Sequence, residues 1–152
     1  MSAPVPAPSA HKLTAAQEKA LLDVALDRPS NAREVTRHAL KVAGMLRFDR
    51  APTGITPSGA AHAAHLLGLT LDAAPWAQAL AGRDAAWQAR SEAWGNVKYA
   101  CHRVYDPADL EPVKARIAAY RTADAAWKAA AQREDRERAA ALRVLRAGGG
   151  AR

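Results

Sequence analysis

An internal disulfide and a cysteine-rich zinc site are closed to this chain, because Cys101 is its one cysteine. That economy fits a reducing, cytoplasmic setting. No long apolar run occurs, so no membrane-spanning helix and no membrane partner are expected. The opening "MSAPVPAPSA" lacks a basic start followed by an apolar run of roughly 7–15 residues, so a secretory leader is not expected either. Glycine-rich phosphate loops, Ser/His/Asp arrangements and paired carboxylates are all missing. Catalytic residues and cofactors are therefore not expected. His62 and His65 stand three apart, yet no Asp, Glu or Cys beside them completes a metal site. Aromatic residues make up 5% of the chain, and 4 of them are Trp. Much of the apolar content is Ala, so the core must be thin and its helices closely packed.

Base is what the chain has in excess. The 152 residues carry 22 Lys and Arg against 15 Asp and Glu, a net charge of +7. Such a balance favours a polyanionic partner. The excess is uneven. Between Arg28 and Arg50 stand Arg28, Arg33, Arg37, Lys41, Arg47 and Arg50, against Glu34 and Asp49 alone.

Punctuation divides the chain. Residues 1–11 are rich in Pro and Ala and read as a flexible arm. Residues 13–27 read as a helix, with Thr14 as N-cap and Glu18 in the first turn. Pro29 ends it. Residues 30–44 read as the next helical segment, capped by Ser30 or Asn31. There Ala32, Val35, Ala39 and Val42 form the expected inner face. Arg33, Arg37 and Lys41 line the opposite side, and Gly44 takes the left-handed closing position. Met45–Asp49 reads as a strand with Leu46 inward and Arg47 outward, and Phe48 is expected to pack on the helices. Gly54 permits a return turn, Ile55 re-enters the core, and Thr56-Pro57 opens a further helix that stops at Gly68.

Residues 75–105 and 109–146 read as two long helices joined by "YDPAD". Leu80, Trp87, Trp94 and Cys101 repeat at seven, beside Val97 and Val104. Leu110, Val113, Ile117, Tyr120, Asp124, Trp127 and Ala131 follow a 3-4 rhythm with Asp124 as the polar intruder. A short connection favours antiparallel neighbours. Cys101 is expected to be buried on this stripe, and a kink is expected at Gly82 or Gly95. After Ala131 the seam is lost, and "QREDRERAA" reads as a solvated helix face. The expected domains are 12–70, a helical hairpin over 75–147, and a disordered tail at 148–152. Trp87, Trp94, Val97, Cys101, Val104, Tyr120 and Trp127 either close the hairpin on itself or form an oligomer interface, with a homodimer expected.

Ala39, Leu40, Gly44, Met45 and Leu46, followed by a charged segment and then Ile55, Thr56, Pro57 and Gly59, give the stretch "ALKVAGMLRFDRAPTGITPSGAAHAAHLL" a family look. It resembles the wing region of MarR-like and related bacterial winged-helix regulators, across residues 13–68. The resemblance implies an N-terminal winged helix-turn-helix with a short two-stranded wing over residues 45–56. With the helical hairpin added, the expected fold is mainly α. The resemblance further implies that the segment around Arg33–Val42 is a recognition helix. Arg33, Arg37, Lys41, Arg47 and Arg50 would contact double-stranded DNA, and Thr36 and His38 would reach phosphates or base edges. A dimeric transcriptional regulator is the function implied. The alternative is a DNA-binding adaptor in a larger phage or plasmid assembly for packaging, partition or replication, oligomerising through the hairpin. RNA binding ranks below both. No convergent polar set names a small-molecule effector.

Overall fold

The computed structural model describes residues 12–48 and 54–150. Among them run five α-helices: α1 (Ala15–Ala25), α2 (Glu34–Val42), α3 (Pro57–Leu66), α4 (Ala74–Cys101) and α5 (Leu110–Gly149). One 3-10 turn, Pro107–Asp109, precedes α5. The described chain divides into two compact units, residues 12–77 with 137–150, and residues 78–136.

In the first unit, helix ends follow from local chemistry. The Thr14 hydroxyl accepts the Gln17 amide at 3.3 Å, and the Gln17 side chain accepts the Thr14 amide at 2.8 Å. This reciprocal pair satisfies two donors that the first turn of α1 leaves open. At the other end Asp27 is left-handed, with φ 56°. There the Arg28 amide donates to the Asp23 carbonyl at 2.8 Å and the Asp27 amide to Val24 at 3.3 Å. The same closure recurs at Gly44 (φ 72°) and Gly68 (φ 68°). Met45 donates to Leu40 and Leu69 to Ala64, each at 2.9 Å. Each is a Schellman motif, which brings the residue after the left-handed one against the residue five before it.

That closure feeds the core. Leu21 and Ala25 of α1, Leu40 of α2, and Ala60, Ala63 and Ala64 of α3 are buried with Met45, Leu46 and Ile55. Trp76 from the start of α4 and Ala141 and Leu145 from α5 complete the cluster. The alanines of α3 let α1 close on it, and α1 packs on both α2 and α3. Trp76 is the largest fully buried side chain.

Several expectations need correction. The expected two-stranded wing is not there: no strand forms among the described residues, and Leu46 and Ile55 make one isolated antiparallel bridge. Its two bonds run from the Arg47 amide to Gly54 at 2.8 Å and from the Thr56 amide to Met45 at 3.0 Å. At the Met45–Thr56 end the pairing stops, because Gly44 is left-handed and Thr56 caps α3 by accepting the Gly59 amide at 3.0 Å. Phe48 is exposed and does not pack into the core, and residues 49–53 lie outside the described residues. Asn31 and Ser30 do not cap α2. Arg33 occupies that position with no side-chain bond, while the Ser30 hydroxyl accepts the Ala32 amide at 3.3 Å.

The C-terminal stretch also differs. Residues 137–149 are helix belonging with the first unit, and Gly149 is buried where the sequence suggests a tail. The arm at 1–11 and residues 151–152 lie outside the described residues. Gly82 and Gly95 sit inside the uninterrupted α4.

In the second unit, residues 78–101 of α4 and 110–136 of α5 run antiparallel. Arg83 meets Glu134, Arg90 meets Asp124, and Trp94 meets Tyr120. Asp106 starts the return by accepting the Ala108 amide at 2.6 Å, and Asp109 accepts the amides of Tyr105 and Asp106.

Two glycine substitutions separate packing from propensity. A methyl at Gly59 would overlap the Met45 carbonyl and stand 2.9 Å from Ile55 Cγ1, whereas nothing lies within 4 Å of the same position at Gly82. Gly59→Ala is expected to destabilise by about 1–3 kcal/mol through overpacking, and Gly82→Ala to stabilise by roughly 1 kcal/mol through helix propensity. Thermal or denaturant unfolding of the two variants checks both signs.

Candidate nucleic-acid interface

The expected DNA contacts lie on α2 and the segment after it, and the structure turns that helix the other way round. Val35 and Val42, expected inward, are 80% and 68% exposed, while Leu40 is fully buried. The Schellman turn at Gly44 is the cause. It ties the Met45 amide to the Leu40 carbonyl and buries both side chains, so Leu40 sets the phase of the helix. The outward face of α2 is then Val35, His38 and Val42. Arg37 and Lys41 fall on its flank, half-buried.

The basic residues therefore divide by environment. Arg33 is exposed at the N-cap of α2. Arg37 Nη2 donates to the Ser30 carbonyl at 2.8 Å, which holds the loop before α2. Thr36 is half-buried, and Arg47 is half-buried beside Gly54. The His38 ring stands edge-on to Phe48, with centroids 6.2 Å apart and planes at 81°. Arg50 lies outside the described residues. Arg33, His38 and Lys41 thus share α2 with the exposed Val35 and Val42, which were expected inward, and His38 brings the exposed Phe48 beside that face. Residues 1–77 and 137–152 carry 12 bases against 7 acids, whereas residues 78–136 carry 10 against 8. The charge excess is concentrated in the part of the chain that holds α2.

The second candidate surface is the hairpin. Trp87 packs on Trp127 with centroids 5.6 Å apart, and Trp94 on Tyr120 at 5.2 Å. Arg90 threads between them. Its guanidinium donates to Asp124 at 2.6 Å and to the Tyr120 hydroxyl at 3.0 Å, and lies 4.8 Å from the Trp127 centroid and 5.3 Å from that of Trp87. This is a cation held by π faces and a carboxylate together. Farther along, Arg83 reaches the buried Glu134 at 3.3 Å, so the stretch read as a solvated face supplies a buried ion pair. Val97 is buried, whereas Val104 is exposed. Cys101, expected to be buried, is exposed, because the last turn of α4 has run past the packed seam. Trp87 and Trp94 remain 46% and 48% exposed. An open groove of about 420 Å³ is lined by Ala93, Asn96, Pro112, Ala115, Arg116 and Ala119.

Among the described residues, no group of three His, Cys, Asp or Glu is placed to hold a metal ion, and no helix is long and apolar enough to cross a membrane.

Asp124 gives the hairpin an acid signature. Lys128 and then Arg90 bond its carboxylate and lower its pKa, and Arg90 is raised in return chiefly by the bond to Asp124. A carboxyl with a lowered folded pKa contributes stability that is fully present above the ordinary aspartate value of about 3.9 and is lost as pH falls through the folded value. Helicity followed on acid titration is expected to fall below about pH 4, and Asp124→Asn to flatten that fall. An unchanged acid profile in the variant would contradict the assignment.

No family model, curated protein or solved structure matches this chain.

Proposed function

We propose that the chain is a duplex-DNA-binding protein that presents α2 to the major groove and acts as a dimer, in the manner of a transcriptional regulator. The observation that carries the proposal is the solvent-open face of α2, with Arg33 exposed at its start and Lys41 on its flank, in the more basic of the two parts of the chain. An α-helix fits a major groove about 12 Å wide. Cations at the edges of such a helix meet the phosphate rows, and the counterions released there drive binding. The first turn of α2 adds a helix N-terminus, which favours anions.

A second use of the same chemistry is as the DNA-binding subunit of a larger assembly. The observation that favours it is the aromatic surface left on the hairpin, where Trp87 and Trp94 stay half exposed after pairing with Trp127 and Tyr120. Aromatic anchors of this kind dominate protein interfaces.

Two measurements test the proposal. In duplex titrations across salt concentrations, Arg33→Glu with Lys41→Glu is expected to weaken binding at low salt by about tenfold or more. It should also shrink the salt slope by about two, one for each phosphate that is no longer neutralised. Affinity and slope that stay the same would sink the assignment of α2. Sedimentation is expected to report the mass of two chains; a ring of many chains would favour the assembly role.

A further inference from the structure

Three large apolar side chains on one outward surface are the feature that phosphate binding leaves unexplained. Val35 is 80%, Val42 68% and Phe48 65% exposed. Val35 and Val42 are seven residues apart on α2, so they stand in line, about 10 Å apart along the axis. His38 lies between them, with its ring set by the edge contact to Phe48. Cations border the row: Arg33 at its start, Lys41 beside Val42, and Arg47 next to Phe48. Glu34 is the one acid on α2. A surface that is apolar along its centre and cationic along its edge matches an anionic partner with methyl groups on its floor. In the DNA major groove the phosphates form the edges, and the C5-methyl of thymine is the apolar group that the base pairs display.

We infer that Val35 and Val42, with Phe48 beside them, contact thymine C5-methyl groups in the major groove, while Arg33, Lys41 and Arg47 hold the flanking phosphates. The inference rests on the DNA-binding proposal above and specifies its target: duplexes that present thymine methyls to α2, bound more tightly than duplexes of equal charge without them. The apolar row supplies base discrimination and the cations supply affinity.

The experiment compares one duplex in two forms, with every thymine present or with every thymine replaced by uracil. The replacement removes only the methyl groups and keeps pairing and charge. Each is titrated with the full chain and with Val35→Ala/Val42→Ala, whose sites are exposed and helix-compatible, so the variant keeps its fold. Burying one methyl corresponds to about fourfold in affinity, and two to about tenfold or somewhat more. The expected result is about tenfold weaker binding of the uracil duplex by the native chain. In the variant both duplexes should bind alike, at the native chain's uracil level. Equal binding of the two duplexes by the native chain overturns the inference and leaves the DNA-binding proposal standing. A thymine preference that survives in the variant overturns the assignment to Val35 and Val42. Absence of binding to either duplex overturns the proposal and the inference together. A fall of the sedimentation mass from two chains to one on Val35→Ala/Val42→Ala also overturns the inference, because a second copy would then cover the row.

Discussion

Gly44 takes a left-handed turn, and the Met45 amide reaches back to the Leu40 carbonyl at 2.9 Å. That single closure decides which side of α2 meets water. Once Leu40 and Met45 are drawn into the same core, Val35, His38 and Val42 must point away from it. The Thr56 hydroxyl reinforces the arrangement by donating to the Gly44 carbonyl at 2.6 Å while capping α3. Gly59 completes it, because only a residue without a side chain lets α3 lie against the Met45 carbonyl. The outward face of α2 is thus a consequence of how the chain leaves the helix.

The hairpin rests on a different kind of interaction. Its seam is built from few large side chains, and a charged pair sits in the middle of them. Arg90 is satisfied on several sides, by Asp124, by the Tyr120 hydroxyl and by the faces of Trp87 and Trp127. A slip of α4 against α5 would leave Arg90 and Asp124 without these partners, and unpaired charges in such a place are costly. The pair therefore fixes register, which a row of alanines and two tryptophans would specify poorly. Arg83 and Glu134 repeat the device at the other end.

Where a local bond makes an element, the residues announce it. Thr14, Thr56-Pro57, Gly44 and Gly68 mark helix ends in the sequence, and the structure has each of them as a cap or a left-handed closure. The seven-residue repeat of Trp87 and Trp94 and the intrusion of Asp124 are equally visible. Long-range facts are not. The periodicity of α2 shows two opposed stripes but does not say which one is inside, and two valines look more like an inner face than a single leucine does. Trp76 carries no periodic signal, since its neighbours in the core include α5, far later in the chain. Ala141 and Leu145 follow directly on the run that reads as a solvated face, after the seam is lost. The wing is a subtler case. Alternation around Leu46 and Ile55 marks a true pairing, but the left-handed Gly44 and the Thr56 cap end it on their side, and one bridge is what forms among the described residues.

The central claim is that the outward face of α2 is the binding surface. Methyl NMR of the full chain, with valine and leucine methyls labelled and a short thymine-containing duplex added, tests it most directly. The account predicts that Val35 and Val42 shift on addition of the duplex while the buried methyls of Leu21, Leu40 and Leu145 hold their positions. Shifts confined to Val97 and Val104 of the hairpin, or no shift at Val35 and Val42, would contradict it.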